Sequence, residues 1–273
     1  MRKNGFKALV FAFAAATACG SARAAQCGDD PGGFKAWLDD FKQVAINDGI
    51  SPNVVDEAFA NASFDRSVLA HDRSQSSLQG ADAGFAARHL SPARVKQGKS
   101  MMLAYAEPLE RIEQRYGVPG PVLVAIWGLE TDYGATLGKY STFSALATLA
   151  YDCRRGPLYQ AELVDALMIV ERGLLSPDQM RGAWAGELGQ TQFMPSAYLK
   201  YGVSANGGRG GNLMGNGADA LASTANFLNQ HGWQRGAKWD PGQPNFAAIL
   251  QWNSSEVYGK TIAEFADQLA QNQ

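Results

Sequence analysis

A mainly α fold with at most short β segments is what this sequence predicts, and three observations predict it. Apolar residues recur at i, i+3, i+4 and i+7 through most of the chain, the spacing of amphipathic helices. Strict apolar/polar alternation is nearly absent, apart from short candidate strands near residues 236–250. Hydrophobic residues make up 46% and charged residues 18% of the 273, enough to build a sizeable core and unlike a disordered chain.

The elements follow in order. MRKNGFK carries three positive charges, ALVFAFAAATA is an apolar run of 11, and Ala22-Arg23-Ala24 offers an A-x-A cleavage site. Residues 1–24 therefore read as a secretory signal peptide, too short for a permanent membrane anchor, and the expected location is the periplasm. Lipid anchoring at Cys19 is disfavoured, because the branched residue expected three positions earlier is Ala16. Cleavage leaves Cys27 and Cys153, whose even count in an oxidising compartment favours a disulfide; two free thiols stay open as the alternative.

The rest, 25–273, reads as one domain with an N-terminal helical arm over about 30–100 and a core over about 101–273. Phe34, Trp37, Leu38, Phe41, Val44 and Ala45 form one apolar stripe. Residues 101–116 and 158–171 repeat the pattern, with Pro108 expected to kink or divide the first. Pro119 and Pro121 suit a helix start, Val122, Ala125, Ile126 and Leu129 form its inward stripe, and Gly134 is placed to end it. ADALASTANFLNQ should stop near Gly232, and KTIAEFADQLAQ is the last helix. Two loops stand out: GELGQTQFMPS at 186–196, and 202–217 with seven glycines in 16 residues.

Several chemistries drop out. A formal charge of -2 provides no basic field for nucleic acid. His71, His89 and His231 are scattered without metal-ligand spacing, so neither metal nor cofactor is expected. No G-x-S-x-G is present, the glycine-rich loop follows no strand, and Cys153 lacks an activating base. Glu130, in AIWGLETDYG, remains. It borders an apolar stripe, where lost hydration should raise its pKa and make it a general acid; the bland alternative is a rim glutamate. Asp132 is no partner, because two residues on a helix diverge by about 200°, and it should be solvated.

Five ordered blocks resemble the membrane-bound lytic murein transglycosylase B family: YGVPGPVLVAIWGLETDYG, SALATLAYDCRRG, MRGAWAGELGQTQFMPSAYLKY, DALASTANFLNQHGW and QWNSSEVYGKTI. The resemblance implies a lysozyme-like helical fold around a saccharide groove, with peptidoglycan glycan strands as partner. It implies cleavage of the MurNAc-β-1,4-GlcNAc bond without a water nucleophile, the muramyl C6 hydroxyl attacking C1 to leave a 1,6-anhydro end. Glu130 would serve as acid and then base, so the usual second carboxylate is dispensable. It further implies substrate contacts from Gln192, Gln190, Asn253 and Tyr258, and peptide-stem or lactyl contacts from Arg154 and Arg155, whose alternative is a solvated charge pair. Tyr133 is open between stacking on a sugar and core packing, while Phe193 and Met194 are expected to pack. A monomer is expected, with cell-wall or secretion machinery as a further partner class.

Three departures matter. Ala183 replaces a serine able to support the acid, and Glu187 replaces a small residue. Ser204, Asn206, Gly208 and Asn212 replace the carboxylates of a calcium-binding-like loop, so no tight calcium site is expected. Two other readings stay open: a hydrolytic muramidase using Glu162, Glu187 or Asp152 to activate water, and a non-catalytic glycan-binding scaffold.

Overall fold

The computed structural model describes residues 26–75 and 84–271. The expected signal peptide and Cys19 fall on residues 1–25, outside the described residues. The described chain is mainly helical. Helices α1 (Pro31–Asn47), α2 (Pro52–Phe59), α3 (Arg66–Gln75), α4 (Phe85–His89), α5 (Pro92–Ala104), α6 (Ala106–Tyr116) and α7 (Gly120–Thr131) come first. After strand β1 (Tyr140–Ser141) follow α8 (Thr142–Tyr151), α9 (Gly156–Glu171) and strand β2 (Arg181–Gly182). Helices α10 (Pro195–Tyr201), α11 (Gly217–Gln230), α12 (Phe246–Trp252) and α13 (Glu256–Ala270) complete the order. The two strands pair antiparallel, Tyr140 opposite Gly182.

Helix α1 shows how the local rules operate. Asp30 caps it by accepting from Gly32 N at 2.7 Å, Pro31 fills the first turn, and Phe34, Trp37, Leu38, Phe41 and Ala45 are buried. Val44, expected in that stripe, is 52% exposed, so the buried face is narrower than the periodicity implied. The 92–116 stretch divides at Tyr105, three residues before Pro108. Pro108 lies in the first turn of α6, where the N–H it lacks has no intrahelical acceptor to lose. The strands expected near 236–250 are absent. There the buried Asn245 side chain accepts from Gln234 N and donates to the Gln234 and Ala237 carbonyls, satisfying the backbone as a side-chain-held loop before α12 begins.

Two hydrophobic cores result. Phe34, Trp37, Phe41, Phe59, Phe143, Leu163 and Leu167 lie in the first, which α1, α2, α8 and α9 share. Val122, Leu123, Ile126, Trp127, Leu221, Ile262 and Phe265 lie in the second, built on α7, α11 and α13. Phe227 and Trp252 pack against both, and their rings stand 5.1 Å apart at the seam.

Cys27 and Cys153 are joined by a disulfide across 126 residues of sequence, with Cα atoms 5.1 Å apart. Gly28 N donates to Tyr151 O at 3.0 Å beside it, so the start of the described chain is pinned to the end of α8. A cross-link closing so long a loop restricts the unfolded chain. Replacing both cysteines by serine should cost about 2–4 kcal/mol, read as a lower denaturant midpoint. An unchanged midpoint would mean that the cross-link adds no net stability.

Candidate active site

Helix α7 is apolar on every face. All residues from Gly120 to Gly128 are buried, which makes it a central helix rather than the one-sided helix the stripe suggested. Gly128 permits this packing, since a Cβ there would meet the Tyr133 ring at 2.8 Å. Glu130 is therefore delivered by the last turn of the best-packed element in the second core. The helix ends at Thr131, three residues before Gly134. Asp132 and Tyr133 both adopt left-handed backbone, with φ of 48° and 60°.

Arg94 on α5 grips both strained residues. Its Nε donates to Asp132 Oδ1 at 2.9 Å, and its carbonyl accepts from the Tyr133 hydroxyl at 2.8 Å. Asp132 thus has a cation partner where a merely solvated side chain was expected. Tyr133 is 8% exposed, its ring packed on Trp127. Its polar tip is already occupied, so of its two readings the structure gives core packing.

Glu130 Oε1 accepts two hydrogen bonds, from Trp252 Nε1 at 3.0 Å and from the Tyr258 hydroxyl at 2.8 Å. Burial raises the Glu130 pKa from 4.5 to about 7; the Trp252 and Tyr258 bonds oppose the rise and the nearby Glu187 charge adds to it. The Tyr258 hydroxyl is itself held well above its ordinary range by burial and by Glu130. Tyr258, expected to touch substrate, directs its hydroxyl to Glu130. Trp252 was missed altogether, because an indole in an apolar stretch reads as core.

Trp252→Phe should remove one donor that favours the charged form, raising the Glu130 pKa further. The expected readout is a descending limb of the pH–activity profile that moves to higher pH. A limb that stays in place or moves down would refute that role.

A cavity of about 310 Å³ opens beside the carboxyl, lined by Glu130, Glu187, Gln192, Phe193, Trp252 and Asn253 among others. Gln192 arrives on a tight turn closed by the Leu188–Phe193 pair, whose N–H···O bonds measure 2.7 and 2.9 Å. Its own φ is 55°, and its side-chain amide donates to the Gly189 carbonyl at 2.7 Å. Asn253 caps α12 at the cavity edge.

Gln190 does not reach the cavity. Its amide accepts from Trp127 Nε1 at 3.1 Å and donates to the Met214 carbonyl at 3.3 Å, which ties α7 to the loop. Gly134 makes room for it, since a Cβ there would lie 2.4 Å from Gln190 Oε1. Arg154 and Arg155 also stand apart from the cavity lining. Both guanidinium groups contact the carboxylate of Asp72, buried at 3% exposed, and so fasten α3 to the α8–α9 junction. A protein carboxylate is thus a partner of both arginines, whose side chains are still 43% and 44% exposed.

A larger cavity, about 610 Å³, lies between α5, α6 and α7. Its lining is mainly aliphatic and its two glutamates, Glu110 and Glu113, are exposed, so the acid chemistry belongs to the smaller one.

The glycine-rich loop is organised by Asp219, in the first turn of α11. Asp219 Oδ1 accepts from Ala205 N at 2.8 Å and Ser204 Oγ at 3.3 Å, and Oδ2 accepts from Asn212 N at 2.9 Å. Among the described residues no group of three or more His, Cys, Asp or Glu is placed to hold a metal ion. The loop has no carboxylate of its own, and Asp219 has both oxygens engaged by it, so these residues do not fit calcium.

A buried carboxyl whose pKa is raised, set against a cavity in a helical domain, is a candidate general acid. The chain is a member of the transglycosylase SLT domain family, which matches residues 33–243. It is 34% identical over 174 residues to membrane-bound lytic murein transglycosylase B of Escherichia coli K12, covering 61% of this chain and 48% of that protein, so the match spans about half of the relative. Among solved structures, SltB3 of Pseudomonas aeruginosa in complex with NAG-anhNAM-pentapeptide aligns with a TM-score of 0.79 and 30% identity, over 87% of this chain and 80% of that one. The E. coli lytic transglycosylase Slt35 in complex with calcium aligns with a TM-score of 0.75 and 26% identity, over 92% and 97%. The fold class read from the sequence agrees with these neighbours.

Proposed function

We propose that this chain is an exported lytic transglycosylase. It cleaves the MurNAc-β-1,4-GlcNAc bond of peptidoglycan and leaves 1,6-anhydro-MurNAc ends. The observation that carries this reading is the Glu130 carboxyl, set in the cavity wall with a pKa of about 7 and both donors on one oxygen. Trp252 Nε1 can only donate, so Oε1 acts as the acceptor oxygen and the proton rides on Oε2. That proton passes to the leaving glycosidic oxygen as the bond to C1 breaks. The carboxylate left behind is stabilised by Trp252 and Tyr258, and takes the proton of the muramyl C6 hydroxyl as that oxygen closes on C1.

The family membership supports this reading, as does the likeness to SltB3, which was solved with a NAG-anhNAM-pentapeptide. Gln192 and Asn253 are proposed as substrate contacts from the cavity wall. Residues 1–24 are proposed as the export signal to the periplasm and 25–273 as the catalytic domain.

The test is mass spectrometry of the soluble products released from purified sacculi. Anhydro ends are expected; hydrated, reducible ends would reject the mechanism and favour hydrolysis. A protein that binds sacculi and releases nothing would be a scaffold.

A further inference from the structure

The cavity holds two acids, and the mechanism above uses one. Glu187 lines the same 310 Å³ space as Glu130, between Gly186 and the Leu188–Phe193 turn. Its carboxylate accepts a backbone N–H from Ala185 at 3.1 Å, and no Lys or Arg among the described residues pairs with it. Resting on the Glu130 reading, we propose that Glu187 is a second working carboxylate: it holds the negative charge while Glu130 holds the proton, and that charge faces the sugar ring carbon as its bond to the leaving oxygen breaks.

Two acids lining one cavity disfavour each other's ionisation. Burial pushes the Glu187 pKa up, and the backbone amides at 187 and 185 oppose that rise by donating to its carboxylate. Burial is the main reason that Glu130 keeps its proton, and the Glu187 charge adds to it in the same direction. Other groups face the pair from each side. Tyr258 faces Glu130 from α13, with the charge of Arg94 on α5 acting on it. Tyr159 faces Glu187 from α9, with Arg155 over its ring. None of these supplies an anion to the cavity.

As C1 loses its leaving oxygen it becomes positive, and a fixed anion across a small cavity stabilises that state without reorganising. Glu187 also fills a turn, and a turn residue that only accepted the Ala185 N–H would be replaced equally well by glutamine. That distinction sets the experiment.

Full-length Glu187→Gln and Glu187→Ala are assayed beside wild type on soluble uncrosslinked glycan strands across pH, with thermal unfolding measured on each. Glu187→Gln should lower kcat by about ten- to a hundredfold while KM moves by less than about twofold. The descending limb should move to lower pH, because Glu130 loses the anion that helped hold its proton. Glu187→Ala carries the same test if glutamine disturbs the turn. Folded variants with wild-type kcat and an unmoved limb would overturn the proposal and leave Glu187 a turn residue. Wild-type activity in Glu130→Gln would instead overturn the reading of Glu130, whatever Glu187 does.

Discussion

Glu130→Gln is expected to lose about a thousandfold or more of kcat, and at the same time to unfold less readily above neutral pH. Both expectations come from one cause. General acid and general base steps each contribute roughly 10²–10⁴-fold, and in the proposed mechanism one side chain serves both. Glutamine keeps an oxygen for the Trp252 and Tyr258 donors but has no proton to give or accept at neutral pH. On stability the sign is fixed by the raised pKa. Below about 4.5 the carboxyl is protonated in both folded and unfolded chains, and folding is indifferent to it. Between 4.5 and about 7 the unfolded chain releases the proton and the folded one keeps it, so stability falls as pH rises. Above about 7 the penalty is complete, at most about 3 kcal/mol and less where water reaches the carboxyl. Denaturant unfolding of wild type and variant at pH 4 and pH 8 measures it. A gap that fails to widen at the higher pH would show that Glu130 is not held in its acid form.

Arg94→Ala is expected to cut kcat by up to about a hundredfold and to lower the melting temperature, although Arg94 is not proposed to touch the sugar. Left-handed backbone at a non-glycine residue costs about 1–3 kcal/mol, and Asp132 and Tyr133 adopt it in succession right after Glu130. Arg94 offsets that cost twice, through its guanidinium to Asp132 and its carbonyl to Tyr133. Without the guanidinium the turn can relax, and a shift of about 1 Å at a reacting group is enough for a roughly hundredfold loss. KM should change little, because Gln192 and Asn253 come from other elements. Wild-type kcat in a folded Arg94→Ala protein would show that the clamp does not aim Glu130.

Much of this was legible in the sequence, and the reasons for the rest are physical. Periodicity located the helices because burial on one face leaves a 3.6-residue trace, as in α1. It misjudged α7, whose burial on all faces leaves no such trace. Glu130 stood out by its apolar surroundings, but its two donors lie 122 and 128 residues away and no local pattern links them. Gln190 and Gln192 share a short motif, yet the left-handed turn at Gln192 sends one side chain inward to Trp127 and leaves the other on the cavity wall. Asp72 is the clearest omission, since nothing near it in sequence announces that two arginines more than 80 residues on will close around it.

The cavity beside Glu130 lies where Phe227 and Trp252 bridge the two cores, so its walls have separate owners. Glu130 and its donors ride on α7, α12 and α13, whereas Glu187 and Gln192 ride on the loop packed over α8 and α9. A parting of that junction too slight to melt either half would already dissolve the geometry that makes the acid useful. Catalysis should therefore fade with warming before circular dichroism registers any loss of helix, making turnover the keener thermometer of this fold.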